Sequence, residues 1–309
     1  MMKIVIFAHQ NWGIKGIEIL LKTNHEIIQV FTHPLNMDKH EKVWYESVVD
    51  ICTKNNIPIL EKTKTDEEIF NLIKSMCPDL ILCLGWRRLI PKTIFEFPIH
   101  GTINFHDGLL PEYRGFAPVN WCIINDEKFS GITAHYLDDD VDTGDIILQE
   151  KVPINDDDTA KMVYEKLLEI YPNFLINLLD KITSKNINKK IQNRLDGFTC
   201  SRRFPHDGKI NWNDDRKKIH NLIRALSYPY PNAFFISDDK KFFINKSCLL
   251  EEDFRGPSGR ICKITSDGIV ILCGTDHTKN QALEITELVL DEKIVNPSTI
   301  FKKLWLDLE

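Results

Sequence analysis

The sequence predicts an α/β fold in which a mostly parallel sheet, covered by helices on both faces, is followed by a small β-barrel. Three observations carry this. Through the first half of the chain, short continuous apolar runs alternate with segments of helical periodicity, the pattern of strands buried on both faces. Beyond a polar stretch at 184–196 the pattern changes to short alternating runs separated by turn residues such as Ser237-Asp238-Asp239 and Ser266-Asp267-Gly268, the spacing of a small all-β unit. The 309 residues, with 43% hydrophobic and 27% charged side chains, have ordinary globular composition and suffice for one large or two ordinary domains.

Taken in order, residues 3–8 read as the first buried strand, 16–22 as the start of a helix and 27–32 as the second strand. A helix over 46–55, a short strand at 58–60, an amphipathic helix over 66–76 and a continuous apolar strand at 80–84 follow. Residues 102–106 and 132–137 complete the sheet. In such a sheet the ligand belongs at the carboxyl ends of the strands, where Asn104, His106 and the loops after Ala8 and Leu84 lie. Asp158-Thr159 caps a long helix with apolar residues at Val163, Leu167, Tyr171, Phe174, Leu175 and Leu178, and Pro172 predicts a kink in it. The expected division is a catalytic unit over 1–183, a linker over 184–205 and a C-terminal unit over 206–309. The latter has a helical segment at 218–226 and short strands at 233–236, 241–244, 259–264, 269–272 and 282–290.

Composition excludes several classes. A net charge of −6 argues against a general nucleic-acid surface, which is normally basic. The eight cysteines show no C-x-x-C pair and lie partly in apolar runs, so they read as reduced, buried thiols. The amino terminus is apolar for too few residues to be a signal segment, and no run approaches the length of a membrane span, so a soluble, cytoplasmic protein is expected. Gly13-x-x-Gly16 is not a dinucleotide fingerprint. The acidic run Asp138-Asp139-Asp140-x-Asp142 departs from a calcium loop at Thr143 and Gln149, and no metal is expected.

The chemistry is concentrated in residues 104–145. Asn104 and His106, two apart on a strand, point to the same side of the sheet. Asp142, in a turn beside Gly144, can fold back against the imidazole. The set supplies an amide able to donate to a developing oxyanion, a proton-transfer group and a carboxylate that orients or charges the ring, the requirements of acyl transfer to an amine. His135, on the neighbouring strand, is either a supporting residue or simply packed.

Asn104-x-His106, Leu109-Leu110-Pro111, Tyr113-Arg114-Gly115-x-Ala117-Pro118, Asp142-x-Gly144 and Arg202-Arg203-x-Pro205-x-Asp207-Gly208 resemble, in order and spacing, the formyltransferase family that uses 10-formyltetrahydrofolate. The resemblance runs nearly the whole length and implies a Rossmann-like catalytic domain followed by an OB-like one, with Asn104, His106 and Asp142 as the catalytic set. It implies a folate pocket formed by Trp86, Arg87, Arg88, Leu89 and Ile90 together with Leu137, Asp138 and Asp139. At positions 107 and 108 the usual Gly-Ser is replaced by Asp107-Gly108.

Within the family, residues 7–13 and the region of Trp121 are most similar to sugar N-formyltransferases of the kind acting on UDP-4-amino-4-deoxy-arabinose. This implies a UDP- or dTDP-linked amino sugar as acceptor, with Gln10, Asn11, Trp12, Tyr113, Arg114, Arg202 and Arg203 as candidate contacts. Guanidinium forks suit a diphosphate. Trp12 and Tyr230 are candidates either for the core or for stacking on a base. Methionyl-tRNA formyltransferase and a non-catalytic folate or nucleotide-sugar binding regulator are the alternative readings, and a homodimer is left open.

Overall fold

The computed structural model describes residues 1–35, 43–276 and 281–308. The first half contains β1 (Lys3–Ala8), α1 (Gln10–Leu20), β2 (Glu26–Thr32), α2 (Val48–Lys54), β3 (Ile59–Glu61), α3 (Glu67–Met76), β4 (Leu80–Leu84), α4 (Lys92–Phe95) and β5 (Thr102–His106). It continues with β6 (Arg114–Gly115), α5 (Pro118–Ile124), β7 (Phe129–Tyr136), β8 (Ile146–Pro153) and α6 (Ala160–Thr183). These build a seven-stranded sheet in the order β3-β2-β1-β4-β5-β7-β8. The first five strands are parallel, while β7 and β8 are antiparallel additions at one edge. β1 and β4 are almost wholly buried, as their uninterrupted apolar runs require of strands covered on both faces.

Two elements differ from expectation in an instructive way. α1 begins at Gln10 instead of at 16, because polar Gln10 and Asn11 precede buried Trp12, Ile14 and Ile17. Gly13 and Gly16 lie where α1 presses on the sheet: an added Cβ would come within 2.7 Å of Ala8 Cβ and 2.3 Å of Leu84 Cδ1, respectively. The helix α6 runs through Pro172 without ending there, although proline removes one intrahelical donor. Tyr171, Phe174, Leu175 and Leu178 are fully buried on either side of it, and Phe105 of β5 meets both Tyr171 and Phe174 edge-on, so packing holds the helix together across the missing bond.

The C-terminal part contains β9 (Thr199–Cys200), α7 (Arg216–Leu226), β10 (Ala233–Ser237), β11 (Lys240–Leu249), β12 (Ile261–Ile264), β13 (Ile269–Leu272), β14 (Ala282–Leu290) and β15 (Lys293–Val295). β10, β11, β14, β13 and β12 pair in that order, with β15 on β14, to give a curled antiparallel OB-like sheet around its own core of Phe235, Ile244, Ile271, Leu283 and Leu288. α7 joins the two parts. Ile219 and Ile223 enter the second core, while Asn120 Nδ2 of α5 donates to Ala225 O at 2.6 Å and Arg224 Nη1 donates to Asp158 O at 2.8 Å.

The polar stretch expected as a linker is bound to the first sheet. Lys190 and Ile146 exchange backbone hydrogen bonds of 2.8 and 2.9 Å, and β9 pairs with β6. Among the described residues no helix is long and apolar enough to cross a membrane.

Replacing Phe174 by Ala should cost about 3–5 kcal/mol of stability, as for other fully enclosed aromatics. Urea unfolding measures it, and a loss within 1 kcal/mol of zero (about the scatter of surface changes) would mean that α6 does not support the sheet.

Candidate active site

Asn104 and His106 occupy the last turn of the β5 pleat and share a face, and β7 places His135 directly opposite Asn104. The loop after β7 returns Asp142, in a left-handed conformation (φ 54°), against all three. Asn104 Nδ2 lies 3.1 Å from His135 Nε2 and 3.4 Å from Asp142 Oδ1. His135 Nδ1 is 2.9 Å from Tyr136 O, which can only accept, so the proton belongs on Nδ1 and Nε2 accepts from the Asn104 amide. His135 is completely buried and fixes which way that amide faces.

His106 is held differently. Nε2 lies 2.7 Å from Tyr113 O and Nδ1 lies 3.5 Å from Asp142 Oδ2, so both nitrogens face acceptors and the ring is placed to donate on either side. Burial alone would raise the proton affinity of Asp142, but His106 and the Gly115 amide, which donates to Oδ2 at 2.8 Å, hold its carboxyl well below the usual carboxylate range.

The turn carrying Asp142 is anchored from the polar stretch. Gln192, 8% exposed, donates from Nε2 to Asp142 O at 2.9 Å and to Gly144 O at 2.7 Å. Its Oε1 accepts from Arg114 Nε at 3.2 Å and Nη2 at 3.0 Å. Gln192 carried no sequence signal beyond its place in a polar run, where nothing marks one amide as buried.

At the carboxyl ends of β1, β2 and β4 lies a second group. His33 stacks on Trp86 with centroids 3.7 Å apart, and Phe7 meets Trp86 edge-on. His33 Nδ1 donates to Lys62 O at 2.9 Å and Nε2 accepts the Arg87 amide at 3.3 Å. Burial, only partly opposed by the Lys62 carbonyl and reinforced by Arg88 and Arg87, pushes His33 down to about 4. Burial, then Arg87 and His33, push His9 down to about 3, so both rings are neutral at physiological pH. His33 thereby holds the start of the 86–90 loop. Among the described residues the amides of Arg88, Leu89 and Ile90 donate to no backbone carbonyl, and the buried Trp86 Nε1 has no partner.

Comparison with known proteins follows this geometry. Residues 2–179 match the formyl transferase family and 204–304 the formyl transferase C-terminal domain. The chain belongs to the formyl transferase family. It is an enzyme of formyl-group transfer. It is 34% identical over 289 residues to the bifunctional polymyxin resistance protein ArnA of Wigglesworthia glossinidia brevipalpis, covering 92% of this chain and 42% of ArnA, so it spans less than half of that relative. It is also 34% identical over 275 residues, 88% of each chain, to methionyl-tRNA formyltransferase of Alkaliphilus oremlandii. Among solved structures, a sugar 3N-formyl transferase, WlaRD, in the presence of dTDP and 5-N-formyl-THF superposes with a TM-score of 0.69 at 25% identity, covering 93% of this chain and 97% of that one. The N-formyltransferase from Helicobacter canadensis in complex with folinic acid and dTDP-3-aminofucose gives 0.71 at 25% identity, covering 93% and 99%.

Several residues expected at the formyltransferase's acceptor lie elsewhere. Trp12 is 5% exposed, edge-on to Tyr164 and Tyr171, and belongs to the core. Tyr113 is buried with its hydroxyl donating to Glu127 at 2.6 Å, so it contributes a carbonyl to His106 and not a side chain to substrate. Arg114 is 4% exposed and its guanidinium is bound to Gln192, Asn193 O and Arg194 O, which turns it into an anchor of the polar stretch and takes it away from a diphosphate. Gln10 and Asn11 are half-buried at the start of α1. Arg202 is exposed, its guanidinium 5.5 Å from the Phe204 ring, and Arg203 lies over Trp121 at 4.8 Å while donating to Asp207 O.

In the expected folate segment Arg88 and Leu89 are exposed and Ile90 is buried. Leu137 packs near Trp86 in one apolar cluster, Asp138 accepts from Thr143, and Asp139 pairs with Lys92 at 3.2 Å. A surface depression of about 440 Å³ opens beyond Leu137, Asp138 and Asp139 between Thr102, Ile99 and Lys189, and it contains none of Asn104, His106 and Asp142.

Two outcomes follow. The depressed affinity of Asp142 for its proton stabilises the folded state above about pH 4, and this is lost as pH falls from there through the folded value. Asp142→Asn should therefore flatten the acid limb of a stability–pH curve below about pH 5; a limb as steep as wild type would show that Asp142 is not the group responsible. Gln192→Ala should lower turnover by about 10- to 100-fold by loosening the Asp142 turn, with formylation rates compared at equal folded fraction; full activity would disconnect the polar stretch from the site.

Proposed function

We propose that the protein is a sugar N-formyltransferase, moving a formyl group from 10-formyltetrahydrofolate to the primary amine of a UDP- or dTDP-linked amino-deoxy sugar. The observation that carries the acceptor is the likeness, over 93% of the chain, to two folate-bound enzymes, one with dTDP and one with a dTDP-amino sugar. The donor fits the 86–90 loop: the amides of Arg88, Leu89 and Ile90, which donate to no backbone carbonyl among the described residues, and the unpartnered Trp86 Nε1 offer hydrogen bonds to a planar heterocycle, flanked by apolar Ile90 and Leu137. Arg202 and Arg203 remain the candidates for the diphosphate.

The residues act as follows in this reading. One Asn104 Nδ2 hydrogen stays on His135 Nε2, while the other, only loosely placed 3.4 Å from Asp142, turns to the oxyanion formed when the amine adds to the formyl carbon. A preorganised donor of this kind is worth about 3–4 kcal/mol. His106, facing acceptors on both sides, supplies the proton that the departing folate nitrogen needs, and Asp142 stabilises the charged ring. No dinucleotide takes part.

A second reading, methionyl-tRNA formyltransferase, is favoured by the identity of 34% over 88% of such an enzyme. The net charge of −6 speaks against a tRNA surface.

A formylation screen across UDP- and dTDP-linked 3-amino and 4-amino sugars, with initiator methionyl-tRNA alongside and mass-spectrometric detection, is expected to give product with a sugar nucleotide; formylation of the tRNA alone would establish the second reading. With the accepted substrate, Asn104→Ala should lower turnover by about 100-fold or more, and near-wild-type turnover would remove Asn104 from the catalytic set.

A further inference from the structure

We infer that Thr133 and Gln149 are positioning residues for formyl transfer: they brace the loop that follows β5 and, through it, hold Nε2 of His106. The inference rests on His106 as a reacting group and holds for a sugar or an aminoacyl acceptor alike.

The pairing of β5, β7 and β8 sets His106, Thr133 and Gln149 opposite one another in a single row. Residues opposite each other in antiparallel strands share a face of the sheet. His135 stands opposite Asn104 in the same way and fixes its amide. Thr133 instead bonds to the loop beyond the imidazole. It is completely buried, and its hydroxyl donates to Gly108 O at 2.6 Å while accepting from Leu110 N at 3.3 Å and Gln149 Nε2 at 3.0 Å. Half-buried Gln149 gives its other Nε2 hydrogen to Leu110 O at 2.6 Å. The hydroxyl thereby has its donor and both acceptor positions filled. Both backbone groups of Leu110 are taken up by side chains of the neighbouring strands.

The braced loop encloses one side of His106. A Cβ at Gly108 would lie 2.8 Å from His106 Nε2, so the backbone there runs against the ring. Three positions beyond Leu110, Tyr113 O accepts from Nε2 at 2.7 Å, the tighter of the ring's two contacts with acceptors. Tyr113 has φ 58°, a conformation that a bulky residue keeps only where its surroundings over-determine it. Its hydroxyl donates to Glu127 Oε1 at 2.6 Å, and its ring meets Phe198 edge-on at 4.8 Å. The loop is pinned at Leu110 by Thr133 and Gln149 and at Tyr113 by Glu127 and Phe198. Little chain lies between the pins, and the Nε2 bond is already at the short end of the N–H···O range. A shift at Leu110 therefore reaches Tyr113 O and turns the imidazole away from the line between Asp142 and the departing folate nitrogen.

The test uses the full chain and whichever acceptor wild type formylates, with rates compared at equal folded fraction. Gln149→Glu keeps the shape of the side chain and removes its hydrogens, and Thr133→Val does the same for the hydroxyl. Each should lower kcat by about 10- to 100-fold, the scale of misplacing a reacting group, with KM for the acceptor and for the folate donor unchanged. Thr133→Ser, which keeps the hydroxyl, should restore kcat. The deciding measurement is a double-mutant cycle: in a His106→Ala background Gln149→Glu should cost nothing further, because a residue that acts through His106 has nothing left to position. Losses that multiply in the double variant, or a folded Gln149→Glu with wild-type kcat, would overturn the brace. If Thr133→Val does not fold, the Gln149 series decides alone. Near-wild-type turnover in His106→Ala would overturn the reading of His106 and the brace with it, whereas a large loss there beside an unchanged Gln149→Glu would overturn the brace only.

Discussion

The site depends on one constraint: a nearly enclosed carboxylate, Asp142, has to stay charged. Side-chain exposure of 13% gives it too little water to do so alone. Its charge is maintained by the Gly115 amide and the His106 ring, delivered by different elements. The same contacts orient the Asn104 and His106 side chains. A carboxylate that needs donors thereby fixes the directions of Asn104 and His106, and its electrostatic stability and the geometry of the reacting groups are the same arrangement.

Four buried histidines show how partners set different roles for one side chain. His33 and His9 lie in apolar surroundings beside Arg87 and are kept neutral, which lets His33 accept an amide and stack on Trp86. His135 has one acceptor partner and one donor partner, which fixes which ring nitrogen donates. His106 has two acceptors. Residue type alone does not separate these cases. The oxygen or nitrogen opposite each ring nitrogen does.

The polar stretch between the two parts of the molecule is tied to the Asp142 turn more closely than a tether would be. Arg114 gives its guanidinium to Gln192 and to two carbonyls, and Gln192 spends its amide on the carbonyls of Asp142 and Gly144. β6, which carries Gly115, pairs with β9 just before the C-terminal part begins. Displacing the C-terminal part would therefore pull on the turn that carries Asp142.

The sequence alone determined the layered α/β sheet and the change to a small β unit, and it placed Asn104, His106 and Asp142 together as the candidate set. These follow from local rules: strands buried on both faces are continuous apolar runs, and residues two apart on a strand share a face. β8 and the short α5 escaped because an edge strand interrupted by exposed Glu150 and Lys151 and a seven-residue helix carry weak periodicity. Only the tertiary structure decided that Trp12 and Tyr113 are core, that Arg114 is an anchor, that Gln192 is buried beside the Asp142 turn and that His33 holds the start of the 86–90 loop. Each of those outcomes depends on which atom from a distant segment faces a given polar group, as with Gln192 and Asp142, fifty positions apart. Sequence periodicity reports which face a side chain is on, but a hydrogen-bond partner is fixed only when the chain has closed around it.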